Sequence, residues 1–271
     1  MKRTLSELIF ADCLFILFLS LSVFLPGIFG TLFYGAAFAV PVLLLLLMWK
    51  KEKTELFGIS VLFSPHSMKL TALWAFPIIF AVILTSFLTS LLMGAIGIET
   101  NAADYSGNIF YVIAVSALAP AIFEEMLFRY LPLRGLGAES PRLAVIYSSI
   151  LFALAHCNLF QIPYALIAGV AFAVLDIISG SVLPSILIHF VNNILSIIWQ
   201  RNSENNLFLV IFLTSISLLA AISIVVNILK RKELKKEISL LTEDKSKLIF
   251  TYPLVLYIFV TLVGATISLA F

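Results

Sequence analysis

Glu124 and Glu125 stand side by side after a long uncharged run, and Arg129 follows Glu125 by four residues. In a helix, neighbours point about 100° apart, whereas an acid and a base at i and i+4 share a face. Glu125 and Arg129 are therefore expected to form an internal ion pair. Glu124 is left on another face, without a local cation, as the candidate general base. His156 lies in a second apolar run, four residues after Phe152, and His189 opens a third polar spot with Asn193 four residues on. Asn192, at i+3, competes with Asn193 as the partner of His189. Activating water requires a base and an orienting partner, which Glu124 and His156 supply. An oxyanion requires donors aimed at developing charge, which suits His189 and Asn193. Glu124, His156 and His189 would also make a His₂Glu set for catalytic zinc. The zincin helix signature is absent, so the reading without a metal cofactor is preferred and zinc is the alternative.

These residues must be positioned by membrane helices. Of 271 residues, 62% are hydrophobic and only 12% charged, with a net charge of +2. A soluble body of this size could not cover so much apolar surface. The charge is too small and scattered for a nucleic-acid partner, and Cys13 and Cys157 cannot make a disulfide framework. Runs long enough to cross a bilayer fall near 7–26, 30–49, 70–96, 109–131, 142–158, 161–179, 181–199, 207–229 and 248–271. The expected fold is an all-α polytopic membrane bundle, one transmembrane domain over 1–271. It has eight or nine spans, the one near 142–158 being short, and its site lies between spans 4, 5 and 7. At a rise of about 1.5 Å per residue, His156 lies about 21 Å and His189 about 12 Å from the inner ends of their spans. Glu124 reaches that band if its helix continues past Arg129 toward Gly135, despite Pro132, or if the end of that helix is sunk below the surface, and one of these two is predicted. Pro120, one turn before Glu124, is expected to kink the helix and admit water.

With the amino terminus in the cytoplasm and nine crossings, every one of the 17 Lys and Arg residues except Arg201 falls inside, as the positive-inside rule requires. Met1-Lys2-Arg3 and its apolar run read as a retained first helix rather than a cleaved signal. Residues 230–247 form a charged cytoplasmic connector that is helix-friendly and suited to lying along the lipid surface. Ala165, Gly169 and Ala173 make a smooth face for close helix packing. His66 is read as an ordinary connector residue. Asp176 is read as structural, snorkelling to water from the inner end of its span. A Cys157–His156 nucleophile pair is disfavoured, since neighbours on a helix diverge.

Glu124-Glu125-Met126-Leu127-Phe128-Arg129, Phe152 with His156, and His189 with Asn193 occur in that order on separate apolar runs. In this the chain resembles the CPBP intramembrane proteases, the CAAX-protease-and-bacteriocin-processing (ABI) family that includes type II CAAX prenyl endopeptidase-like proteins. The resemblance covers a core of about residues 110–200. It implies peptide-bond hydrolysis within the membrane, with Glu124 activating water beside His156, and His189 and Asn193 stabilising the oxyanion. Glu125, Arg129 and Phe152 would support the site. The implied partners are the lipid bilayer and a peptide or protein substrate, lipidated in some members, and bacterial relatives are linked to bacteriocin processing. The expected location is the plasma membrane of a prokaryote. The rival readings are a catalytically silent immunity or scaffold protein of the same fold and a proton-coupled transporter.

Overall fold

The computed structural model describes residues 1–52, 58–98, 105–230, 235, 238–239 and 241–267. Among the described residues the chain is helical. The elements are α1 (Lys2–Phe24), α2 (Gly27–Glu52), α3 (Pro65–Ala95), α4 (Ile109–Gly137), α5 (Pro141–Ala155), α6 (Ile162–Ser179), α7 (Leu183–Arg201), α8 (Asn206–Leu229) and α9 (Tyr252–Ile267). Each expected span corresponds to one of these helices. All but α5 and α9 are long and apolar enough to cross a membrane. The 15 residues of α5 rise about 22 Å, short of a hydrocarbon core about 30 Å thick. Of the basic residues counted above, Lys53, Arg231, Lys232 and Lys236 lie outside the described residues, as do the last residues of the expected ninth span. Within the connector 230–247, the described positions 235, 238–239 and 241–242 are helical.

Local sequence sets the helix ends. Ser64 caps α3 in a capping box with Ser67, and Asn108, Ser140 and Asn205 accept from the first-turn amides of α4, α5 and α8. Gly180 ends α6 at φ 67°, a left-handed cap that a side chain would strain.

The fourth helix continues past Arg129 to Gly137, as predicted, but not as a plain α-helix. Two π turns interrupt it, at Ala114–Leu118 and Met126–Tyr130. Each ends two residues before a proline, Pro120 or Pro132. A proline ring clashes with the carbonyl four residues back. Those carbonyls belong to Ser116 and Phe128, each inside a π turn, where the extra residue accommodates the ring. At Pro120, where a kink is expected, the structure shows a change of register.

The two larger buried apolar clusters organise the bundle. One joins α1, α2, α4, α5, α6 and α9, and the other joins α3, α6, α7 and α8. Between α5 and α6, Gly169 sits so close to Ser149 that an added Cβ would lie 3.1 Å from its Cα, which bears out the smooth packing face. Loop contacts sort onto two ends. The Met1 amine pairs with Glu139, Ser140 and Arg142 bind Asp244, and Ser60 bridges Ser181. Arg201 meets the Gly107 carbonyl at the other end. This is the sorting that strictly alternating crossings produce.

Asp176 departs from expectation. It is fully buried rather than snorkelling, because its carboxylate accepts from the Ser185 hydroxyl at 2.7 Å and the Ser185 amide at 3.3 Å. It thereby satisfies the first turn of α7, which has orphan N–H groups to fill.

Candidate active site

A cavity of about 810 Å³ lies between the two clusters, and Glu124, His156, His189, Asn192 and Asn193 all line it. The four candidate catalytic residues come from α4, the end of α5, and α7, as expected. Walls from α1, α3, α6 and α8 complete the cavity.

Glu125 faces away from it. It is 0% exposed, with Oε2 3.3 Å from Arg129 Nε and Oε1 2.8 Å from His189 Nδ1. The expected i, i+4 ion pair is present, and the same carboxylate also orients an imidazole on another helix. Arg129 is equally buried, and its guanidinium stacks 3.9 Å from the Phe152 ring centroid and 5.5 Å from that of Phe172. Its Nη1 and Nη2 have no hydrogen-bond partner among the described residues, so the ion pair and the ring faces hold this cation.

His156 caps the C-terminal end of α5. Its Nδ1 lies 2.8 Å from the Phe152 carbonyl. A carbonyl only accepts, so Nδ1 carries the proton and the neutral ring keeps its lone pair on Nε2. The ring also sits edge-on to Phe152, at 4.9 Å between centroids. Phe152 thus touches Arg129, His156 and, at 6.0 Å, His189, so it does shape the site. Because the imidazole centroids lie 4.9 and 6.0 Å from that of Phe152, they are no more than 10.9 Å apart. His189 stacks on Phe172 at 5.9 Å. Its Nδ1–H is committed to Glu125, so to donate from Nε2 it must hold a proton on both nitrogens.

Among the described residues no three His, Cys, Asp or Glu side chains converge closely enough to hold a metal ion. Cys157 has a left-handed backbone conformation with φ 46°, and its thiol reaches the Leu154 carbonyl at 3.5 Å. His66 is exposed and bonds the Ile178 carbonyl at 3.2 Å.

Sequence reasoning missed several residues. Tyr105, Gln161 and Tyr164 line the cavity, and Ser86 and Ser90 line its α3 wall. Uncharged polar residues in apolar runs are too common to single out. Asp12 is different. It is a buried acid inside α1, beside Tyr257 of α9, and an ionisable residue within a span was the very signal that picked out Glu124.

Residues 106–195 match the family model described as type II CAAX prenyl endopeptidase Rce1-like. That stretch holds all four candidate catalytic residues, and it bears out the resemblance carried by the motifs. No curated protein and no solved structure matches the chain.

Proposed function

We propose that this chain is an intramembrane endopeptidase that hydrolyses a peptide bond of a membrane-associated peptide or protein. The observation that carries the reading is the gathering of Glu124, His156, His189 and Asn193 around one cavity inside a bundle of apolar helices. The match to an endopeptidase family over residues 106–195 supports the same class.

In this reading, Glu124 takes a proton from a water molecule held by the His156 Nε2 lone pair, and the hydroxide adds to the substrate carbonyl. The developing oxyanion accepts from the Asn193 amide and, when it is doubly protonated, from His189 Nε2; such donors are often worth about 3 kcal/mol. Collapse breaks the C–N bond, and Glu124 returns its proton to the leaving amine. Glu125 and Arg129 stay outside the proton path and hold His189 and Phe152 in place. The carbonyl of Phe152 and the carboxylate of Glu125 fix which nitrogen of each imidazole faces the chemistry. Among the described residues no three such side chains form a group that could hold a metal ion, which supports this route over a zinc-bound water. With strictly alternating helices, the end that carries Met1, Glu139 and Asp244 is the cytoplasmic one, and the membrane is the plasma membrane of a prokaryote.

The test is reconstitution in liposomes with membrane-spanning peptides, comparing the parent with Glu124→Ala and His156→Ala and identifying products by mass. Loss of product in both variants is expected, with no effect of chelator. Cleavage that survives in both variants overturns the hydrolase reading. Cleavage abolished by chelator and restored by zinc overturns the glutamate-only mechanism.

A further inference from the structure

The α3 wall of the cavity has hydroxyls without partners. Thr85 and Thr89 each donate back to the carbonyl one turn earlier, at 2.7 and 2.8 Å. Ser217 does the same on α8, at 2.7 Å. Ser86 and Ser90 make no such bond, nor any other among the described residues, and both line the cavity. Across from them, Asn192 and Ser196 lie one turn apart on the face of α7 that carries His189, and their side chains are likewise without protein partners. Polar side chains in a membrane span that turn down the carbonyl beside them are held for something else.

The shape and charge of the cavity narrow what that is. Its α3 wall runs from Ile78 to Ser90, a helical rise of about 18 Å. An extended chain advances about 3.3 Å per residue, so roughly five residues fit along it. The α3 wall carries no charged side chain, and apart from Ser86 and Ser90 its lining residues between Ile78 and Phe87 are all apolar. A helix crossing a bilayer has no free backbone groups to offer such a row. A stretch unwound for attack has one N–H and one C=O per residue, each costly to leave unpaired in hydrocarbon.

We infer that Ser86 and Ser90 of α3, with Asn192 and Ser196 of α7, form the subsite that pairs with the backbone of an unwound, extended substrate segment beside the scissile bond. The inference rests on the endopeptidase reading for its scissile bond, but not for its ligand. The segment is about five residues long, and its side chains are uncharged and mainly apolar. Backbone pairing sets affinity, and the absence of charge in the wall excludes Lys, Arg, Asp and Glu from the segment.

The probe is a synthetic uncharged Leu/Ala peptide of membrane-spanning length. It carries a central Gly-Gly to permit unwinding and a photoreactive side chain next to it. A second version has the central amides replaced by esters, which removes N–H donors without changing shape. Both are titrated against the full-length Glu124→Gln protein in liposomes, with saturable photocrosslinking as the readout, and cleavage by the parent is followed in parallel. One lost hydrogen bond corresponds to about fivefold in affinity. Ser86→Ala should weaken binding by about that factor, and Ser86→Ala with Ser90→Ala by roughly 25-fold. Ester replacement should weaken binding to the Ser-intact protein and have little further effect on the doubly substituted one. That non-additivity is not expected of a folding defect, and the ester comparison on the Ser-intact protein needs no variant in the row. Ester and amide peptides binding alike, no saturable binding, or binding governed by apolar length alone, as for a lipid chain, overturns the inference. If the parent cleaves the amide peptide while crosslinking ignores the serines, the endopeptidase reading stands and the subsite falls. If binding shows the expected coupling but no peptide is cut, the subsite stands and the hydrolase reading falls.

Discussion

Replacing Glu125 by Gln should destabilise the protein through Arg129. The substitution keeps an oxygen near His189 Nδ1 but removes the charge 3.3 Å from Arg129 Nε. Arg129 is 0% exposed, its Nη atoms have no hydrogen-bond acceptors among the described residues, and aromatic faces surround it. Removing one partner of a buried pair typically costs about 3–5 kcal/mol, whereas replacing both by neutral groups of similar size is often close to neutral. Asp176 and Glu124 also act on Arg129 electrostatically, which favours the lower end of that range. For a chain of this size the loss lowers the melting temperature by on the order of 10 °C. The assay is thermal unfolding in micelles of four proteins: the parent, Glu125→Gln, Arg129→Met and the double variant. The single variants should melt well below the parent, and the double variant should recover most of the difference. The argument is refuted if Glu125→Gln melts with the parent, or if the double variant is as unstable as the sum of the singles. Recovered stability should not restore activity, because Phe152 loses its stacked cation and His189 its charged acceptor.

Glu124→Gln should leave the melting temperature unchanged or raised, since the carboxylate faces the cavity rather than a partner, while turnover of a cleavable membrane peptide falls by about 10² to 10⁴-fold. Gly169→Val should cost about 1–3 kcal/mol in thermal unfolding, because the new side chain meets the Ser149 backbone at 3.1 Å and a helix cannot step aside. Asp244 is held below the usual carboxylate range by the Ser140 hydroxyl, the Ser246 side chain and amide, and the Arg142 amide. Its contribution is therefore complete above the ordinary value near about 3.9 and drains away as the pH falls through its lower folded value. Trypsin cutting at Lys245 and Lys247 should be slow and steady near neutral pH and clearly faster in Asp244→Ala; equal rates would show that these bonds do not hold the segment.

The helix order was legible because hydrocarbon leaves little choice. A backbone in lipid must satisfy its own hydrogen bonds, so every long apolar run becomes a helix. The Glu125–Arg129 pair was legible because its spacing is local. The second role of Glu125, orienting His189, was not, because it depends on how α4 and α7 meet. The two π turns were hidden for a similar reason. Prolines at 120 and 132 announce a disturbance, but whether the helix kinks, ends or widens is decided by packing. The buried position of Asp176 was misread because proximity to a span end says nothing about whether a neighbouring helix start, here at Ser185, lies within reach. The partnerless serines of α3 looked the same in sequence as the self-bonded threonines beside them.

The adjacent Glu124 and Glu125 lie between the two widened turns. On a regular helix two neighbouring carboxylates differ by about 100°, enough to set Glu125 against Arg129 and His189 while Glu124 lines the cavity. Here the helix that carries them is rewound before Pro120 and again before Pro132, and both acids lie on the short α-helical piece between the π turns, Ala119–Glu125. Arg129 is inside the second π turn, which keeps its guanidinium next to Glu125 and under Phe152, while Glu124 stays on the cavity wall. One carboxylate is thereby tied to a cation and an imidazole, and the other is left for a reacting molecule. The prolines, which read as threats to a membrane helix, are accommodated by π turns on either side of the α-helical piece that carries both acids.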